Sequence, residues 1–244
     1  MLKAQNFKSP IAVSIFQLNM VNCGMNNEIA VIFDMDGVIC HTNPYHSLAF
    51  REFFSARNLA PTDEEFAQHM FGKSNSYILS HFLKRPVTGE EFLQMEDEKE
   101  GLFRKIYEPH IDPIAGIVDF IADLKSNGVK LGVATSAPRA NLDLILTKVP
   151  IRKHFGSVLA SEDVSKHKPD PEVYLKSAGN LGVSPDQCLV FEDSFSGVSA
   201  ALNAGMRVVG VLSSHTKEEL PPCSIYIENY KDLQYSDIRA QFAP

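Results

Sequence analysis

Cysteine is scarce and scattered in this chain. Its four cysteines, Cys23, Cys40, Cys188 and Cys223, form no CxxC pair and have no metal-ligand spacing. That excludes a disulfide framework and a zinc site, and it fits reduced thiols in a cytoplasmic protein. Positive charge is also in deficit. A net charge of −7 argues against broad nucleic-acid binding and against attraction to an anionic membrane. No apolar run reaches membrane-spanning length. There is no internal repeat and no low-complexity tract, which excludes solenoids and extended linkers.

What is present is an alternation of apolar runs and helical segments from Glu28 onward. The run "IAVIF" (29–33) is continuously apolar, as expected for a central parallel strand covered on both faces. Similar runs are "VKLGVAT" (129–135), "SVLAS" (157–161), "CLVFED" (188–193), "RVVGVL" (207–212) and the weaker "SIYI" (224–227). Helical patterns between them end on Gly128, Gly182 and Gly205, suited to left-handed C-terminal caps, and Pro171 suits the first turn of another helix. The expectation is an α/β fold with a Rossmann-like, mainly parallel sheet.

Between Pro44 and Tyr107 the strand signal vanishes and every segment reads as helix. Thr62 with Glu65, and Thr88 with Glu91, have the spacing of a capping box. A helical block inserted directly after the first strand is expected to be a cap domain over the carboxyl ends of the strands. The expected division is an N-terminal extension over 1–25, a core over 26–42 and 109–244, and a helical cap over 43–108. The stretch "KSPIAVSIFQLNMVNCG" has a faint likeness to a signal peptide. It lacks a small-residue cleavage site, so a start at Met25 is the simpler expectation.

Polar groups gather at the ends of the apolar runs. Asp34 and Asp36 follow the first, Thr135 and Ser136 the second, and Glu192 and Asp193 a later one, with Lys168 in a loop before a helix. A parallel sheet brings these ends to one edge. Clustered carboxylates repel one another and imply a cation, and oxygen ligands with a phosphate substrate favour Mg²⁺. A lysine there offsets phosphate charge, and a carboxylate beside the metal is a nucleophile toward phosphorus. Each cluster also has a plainer reading: a solvated turn for Asp34 and Asp36, helix N-caps for Thr135–Ser136 and for Glu192–Asp193, and an exposed loop lysine for Lys168.

"DMDGV", "ATSA", "KPDP" and "FEDSFSG", in that order, resemble the four motifs of the haloacid dehalogenase superfamily, and the helical insertion resembles the cap of its β-phosphoglucomutase-like branch. The resemblance implies a hydrolase or mutase of small phosphorylated compounds working through a phosphoaspartate. Asp34 would be nucleophile and Mg²⁺ ligand, and Asp36 acid, base and main-chain ligand. Thr135, Ser136 and Gly37 would hold phosphoryl oxygens, and Lys168 would neutralise charge. Asp193 would be a ligand, with Glu192 a ligand or its support.

Thr42 and His46 match hinge positions of that branch, where the histidine couples closure to the acid/base aspartate, and Lys99 falls where the mutases carry a lysine facing substrate. His46 can equally be a surface histidine, and Lys99, between Glu98 and Glu100, a solvated one. Three departures stand out. His41 replaces a common Asp, Asn75 stands where the mutases carry an arginine for a second phosphate, and Ala137-Pro138-Arg139 replaces their Ser-Lys-Asn group. The expectation is a monomeric phosphatase for a small metabolite such as a sugar phosphate. A phosphomutase, a pyrophosphatase and a non-catalytic phospho-ligand binder are kept as alternatives.

Overall fold

The computed structural model describes residues 28–70 and 73–243. The N-terminal extension with its start at Met25, Cys23, and Phe71 and Gly72 of the "FGKSN" segment lie outside the described residues.

All six apolar runs form strands: β1 (Ala30–Phe33), β2 (Lys130–Ala134), β3 (Ser157–Leu159), β4 (Cys188–Glu192), β5 (Arg207–Val211) and β6 (Ile225–Ile227). They make one parallel sheet in the order β3-β2-β1-β4-β5-β6. The continuity of the apolar runs has a direct cause. Ala30 and Ile32 of β1 belong to one buried cluster, while Val31 and Phe33 belong to another on the opposite face. The first cluster packs under α7 (Glu172–Leu181) and α8 (Phe195–Asn203), the second under α5 (Ile117–Ser126), α6 (Arg139–Lys148) and α9 (Tyr235–Ala240). With both faces covered, the central strands β1 and β4 are buried at every position.

Gly128, Gly182 and Gly205 all take positive φ where helices end, and Pro171 caps α7. From β1 the chain builds outward on one side through β2 and β3, then crosses to β4, β5 and β6 on the other. β1 therefore flanks the switch in strand order, where open sheets leave a crevice at their carboxyl ends.

Between β1 and α5 lie α1 (Asn43–Ser55), α2 (Asp63–His69), α3 (Asn75–Phe82) and α4 (Gly89–Tyr107). They close an apolar cluster of their own, rich in phenylalanine, around Phe50, Phe53, Phe54, Phe66 and Phe82. The Thr62–Glu65 capping box forms as expected. The Thr88–Glu91 box does not: Glu91 turns back to a forked ion pair with Arg85, and Thr88 makes no side-chain cap. A charge-assisted bidentate partner outcompetes a single backbone N–H. α4 packs on α1 and presents Lys99, Glu100, Phe103 and Tyr107 as its buried stripe. Two charged residues therefore face inward, although the neighbouring sequence reads as solvated.

Candidate active site at the strand ends

The four sequence clusters converge at the carboxyl edge of the sheet. Asp34 leaves β1 with its backbone N–H still bonded to the Phe191 carbonyl of β4. The chain then turns at Gly37, φ +69°, and Ser213 after β5 donates to the Gly37 carbonyl. A Cβ at Gly37 would run into the Asp193 carboxylate, so the turn demands glycine for both conformation and space. Gly37→Ala is expected to cost about 2 kcal/mol or more from left-handed strain and displacement of Asp193. A thermal-unfolding midpoint and turnover rate equal to those of the unsubstituted protein would refute this. Gly197, in the first turn of α8, plays a parallel part, since a Cβ there would overlap the Glu192 carboxylate.

Lys168 is the electrostatic centre. Its Nζ donates to Asp34 Oδ1 at 2.6 Å, Glu192 Oε1 at 2.7 Å and the Ala134 carbonyl at 3.3 Å, and its side chain is 5% exposed. Tyr174 donates to the same Glu192 oxygen, and Glu192 Oε2 accepts from the backbone N–H groups of Asp193 and Ser194 and from the Ser194 hydroxyl. Both Glu192 oxygens are thus already engaged. Asp193 Oδ2 accepts from Asn43 at 3.1 Å and from Ser214.

Burial, opposed by Lys168 and supported by Glu192, leaves the Asp34 carboxyl well above its usual range. Burial would lower the Lys168 ammonium, but Asp34 and Glu192 outweigh it and hold the charge on the lysine. Asp193 is pushed up to about 7 by burial and by the Glu192 charge, against the hydrogen bonds from Ser214 and Asn43.

Asp34, Glu192 and Asp193 each offer a carboxylate oxygen within 4.8 Å of the others. All-oxygen donors, buried and short of positive charge, fit a hard divalent cation such as Mg²⁺. A cation bound there would have to displace the Asp193 proton, so its affinity would rise with pH through about 7. In the metal-free protein the sign is opposite. Between an unfolded carboxyl near 4 and a folded one near 7, the native state holds the extra proton, so this group's contribution falls as pH rises. The thermal shift produced by Mg²⁺ should therefore be larger at pH 8 than at pH 6. An equal shift at both would contradict the assignment.

The remaining predicted residues fall on two sides of the crevice. Thr135 is buried, its Oγ1 accepting from the Ala137 N–H, and Ser136 is exposed beside it. The backbone N–H groups of Met35, Asp36 and Ser136 have no acceptor among the described residues. Asp36 turns away from the carboxylate cluster to His46, whose Nε2 lies 3.4 Å from Asp36 Oδ1. The His46 ring stacks on Phe103 at 3.7 Å, so it is not a surface histidine.

Lys99 differs from both readings of it. It is neither solvated nor open to the crevice, but 2% exposed, with Nζ 2.9 Å from His46 Nδ1 and 2.7 Å from Glu100 Oε1, over the Phe50 ring. Thr42 is buried, and its hydroxyl has no partner among the described residues. Asn75 is tied to Glu96 and Glu100, and Arg139 to Asp163 and the Val158 carbonyl.

Sequence reasoning missed Asn43, Tyr174, Ser213 and Ser214. The serines follow β5, the same strand-end signal that located the other clusters; Asn43 and Tyr174 sit in helical patterns with no such signal.

Comparison with known proteins agrees with this geometry. The profile of the haloacid dehalogenase-like hydrolases matches residues 31–211. A phosphorylated carbohydrates phosphatase of Thermotoga maritima is 33% identical over 190 residues, 76% of this chain and 86% of that protein. A beta-phosphoglucomutase of Bacillus subtilis is 34% identical over 191 residues, 75% of this chain and 82% of that protein. The crystal structure of a HAD hydrolase, family IA, variant 3, from Entamoeba histolytica superposes with a TM-score of 0.82 at 27% identity, covering 87% of this chain and 98% of that one. By the family profile and these relatives, the chain belongs to the haloacid dehalogenase-like hydrolases, in their β-phosphoglucomutase-like branch.

Proposed function

We propose that this protein is a Mg²⁺-dependent phosphatase that hydrolyses a small phosphorylated metabolite, foremost a sugar phosphate, through a phosphoryl group carried on Asp34. The observation that carries the reading is the pairing of two differently held aspartates. Asp34 is clamped by Lys168, whereas Asp36, two residues on, is turned toward His46.

In this reading the Asp34 and Asp193 carboxylates and the Asp36 carbonyl would hold Mg²⁺, which would supply positive charge to offset the phosphoryl oxygens. Glu192, with both oxygens engaged, holds Lys168 and the following loop in place. The Thr135 hydroxyl, Lys168 and the unengaged N–H groups of Met35, Asp36 and Ser136 receive phosphoryl oxygens. Asp34 attacks phosphorus, the bond to the leaving oxygen breaks, and Asp36 gives that oxygen a proton. Asp36 then takes a proton from the water that attacks phosphorus, and inorganic phosphate leaves Asp34. The helical insertion acts as a cap that excludes bulk water.

Hydrolysis is favoured over a mutase reaction by the surroundings of the crevice. A mutase must grip a bisphosphate at both ends, yet Arg139 is spent on Asp163, and Asn75 is spent on two carboxylates. Each missing charge-assisted bond forgoes about 1.5–3 kcal/mol. Incubation with a panel of phosphorylated metabolites, including glucose 1-phosphate and pyrophosphate, should release free phosphate from sugar phosphates with Mg²⁺ and none with a chelator. Release from no compound would overturn the proposal, as would conversion of β-glucose 1-phosphate to glucose 6-phosphate without free phosphate.

A further inference from the structure

Glu100 has no part in the chemistry above, yet it is a carboxylate only 2% exposed. Lys99 and Asn75 donate to its Oε1 at 2.7 and 2.9 Å, and Asn141 to its Oε2 at 2.7 Å. Burial would raise this carboxyl, but the Lys99 charge, with the hydrogen bonds from Lys99 and Asn141, holds it below its ordinary range. An ion pair so buried adds little stability over apolar packing.

What the array does carry is direction. An ammonium has three donors and no acceptor, so Lys99 obliges His46 Nδ1 to accept. The ring proton is then on Nε2, the nitrogen that faces Asp36 Oδ1. At the other end, Arg104 donates to Asn141 Oδ1 at 3.0 Å, which turns the amide nitrogen of Asn141 toward Glu100. Lys99 and Phe103, four apart on α4, both meet the same ring from one helix face. The series begins and ends in the sheet core, with Asp36 just after β1 and Asn141 on α6, six residues after Thr135, while His46, Lys99 and Glu100 between them belong to the helical insertion.

We infer that Glu100 is a positioning residue for the acid/base aspartate: docked on Asn141, it fixes Lys99, Lys99 fixes the His46 tautomer, and His46 orients Asp36. The inference rests on the reading of Asp36 as acid and base. It makes proton donation contingent on the helical insertion being seated on α6, because the outermost partner of the series belongs to the core.

The test uses the full chain with Glu100→Gln and, separately, Asn141→Ala. Two-bond ¹⁵N NMR of the histidines reads the His46 tautomer without any substrate. The Nε2–H form is expected in the unsubstituted protein and a mixture of forms in both variants. Values of kcat/KM, which report steps up to release of the alcohol, are then compared for glycerol phosphate and 4-nitrophenyl phosphate. The first has a poor leaving group that needs a proton, the second one that does not. The variants should lose about tenfold or more on glycerol phosphate and no more than about threefold on the aryl ester.

An unchanged tautomer in both variants, or equal losses on the two esters, would overturn the inference and leave Glu100 a packing partner of Lys99. Should Glu100→Gln fail to fold, Asn141→Ala, which keeps the Lys99–Glu100 pair, decides alone. Absence of turnover by the unsubstituted protein defeats the phosphatase reading instead, and the NMR result still decides whether the tautomer is set from Glu100.

Discussion

Asp34→Asn should lower turnover by on the order of 10⁴-fold or more while leaving the fold intact, because it removes the only covalent route proposed for this site. The substitution is isosteric. The amide oxygen still accepts from Lys168, and Lys168 keeps its second carboxylate partner, Glu192, so no buried charge is stranded. What is lost is the nucleophile, since an amide does not attack phosphorus. Trapping separates this from a binding defect. The unsubstituted protein with Mg²⁺ and beryllium fluoride should form an adduct on residue 34, visible by ¹⁹F NMR, and the variant should form none. Equal turnover by the two proteins would dismiss the covalent route.

The sheet was legible in the sequence for a physical reason. A parallel sheet covered on both sides must present unbroken apolar runs, and all six runs became strands because β1 alternates its residues between two buried clusters. The core of the site was legible for a related reason. Residues placed just after such runs are carried to one edge by topology alone, so Asp34, Thr135 and Asp193 meet without any knowledge of side-chain packing.

Nothing comparable guides the helices. "Glu98-Lys99-Glu100" reads as a solvated triplet, and sequence cannot say how α4 is rotated about its axis. The structure sends Glu98 outward to a forked pair with Arg57 and turns Lys99 and Glu100 inward to His46 and Asn141. Arg139, which stands in the place of the mutases' Ser-Lys-Asn group, is claimed by Asp163, a partner 24 residues away. Thr88 lost its cap to the same kind of competition, between Arg85 and a backbone N–H for Glu91. Side-chain partnerships chosen among several nearby charges are what the one-dimensional pattern does not encode.

The second large effect concerns stability as much as rate. Lys168 is the sole cation touching Asp34 and Glu192 among the described residues, and all three are nearly excluded from solvent. Lys168→Met fills the same space with an apolar chain and strands two carboxylates, a loss of about 3–5 kcal/mol. In a chain of this length that lowers the unfolding midpoint by about 10 °C. Turnover should fall as well, because the charge facing the phosphoryl group goes with it.

Adding Glu192→Gln separates the two consequences. The amide removes one stranded charge while its oxygen still accepts from either Tyr174 or the backbone N–H groups of Asp193 and Ser194, so part of the midpoint should return. Turnover should not return, since no cation has been restored. On the proposed function, Mg²⁺ bound among these carboxylates would supply some of the missing charge, so the midpoint lost in Lys168→Met should be larger with a chelator than with the metal. Calorimetry of the two variants under both conditions reads all of this. A Lys168→Met midpoint equal to that of the unsubstituted protein would mean that these carboxylates are not ionised in the folded chain, and the electrostatic design argued for this crevice would fail.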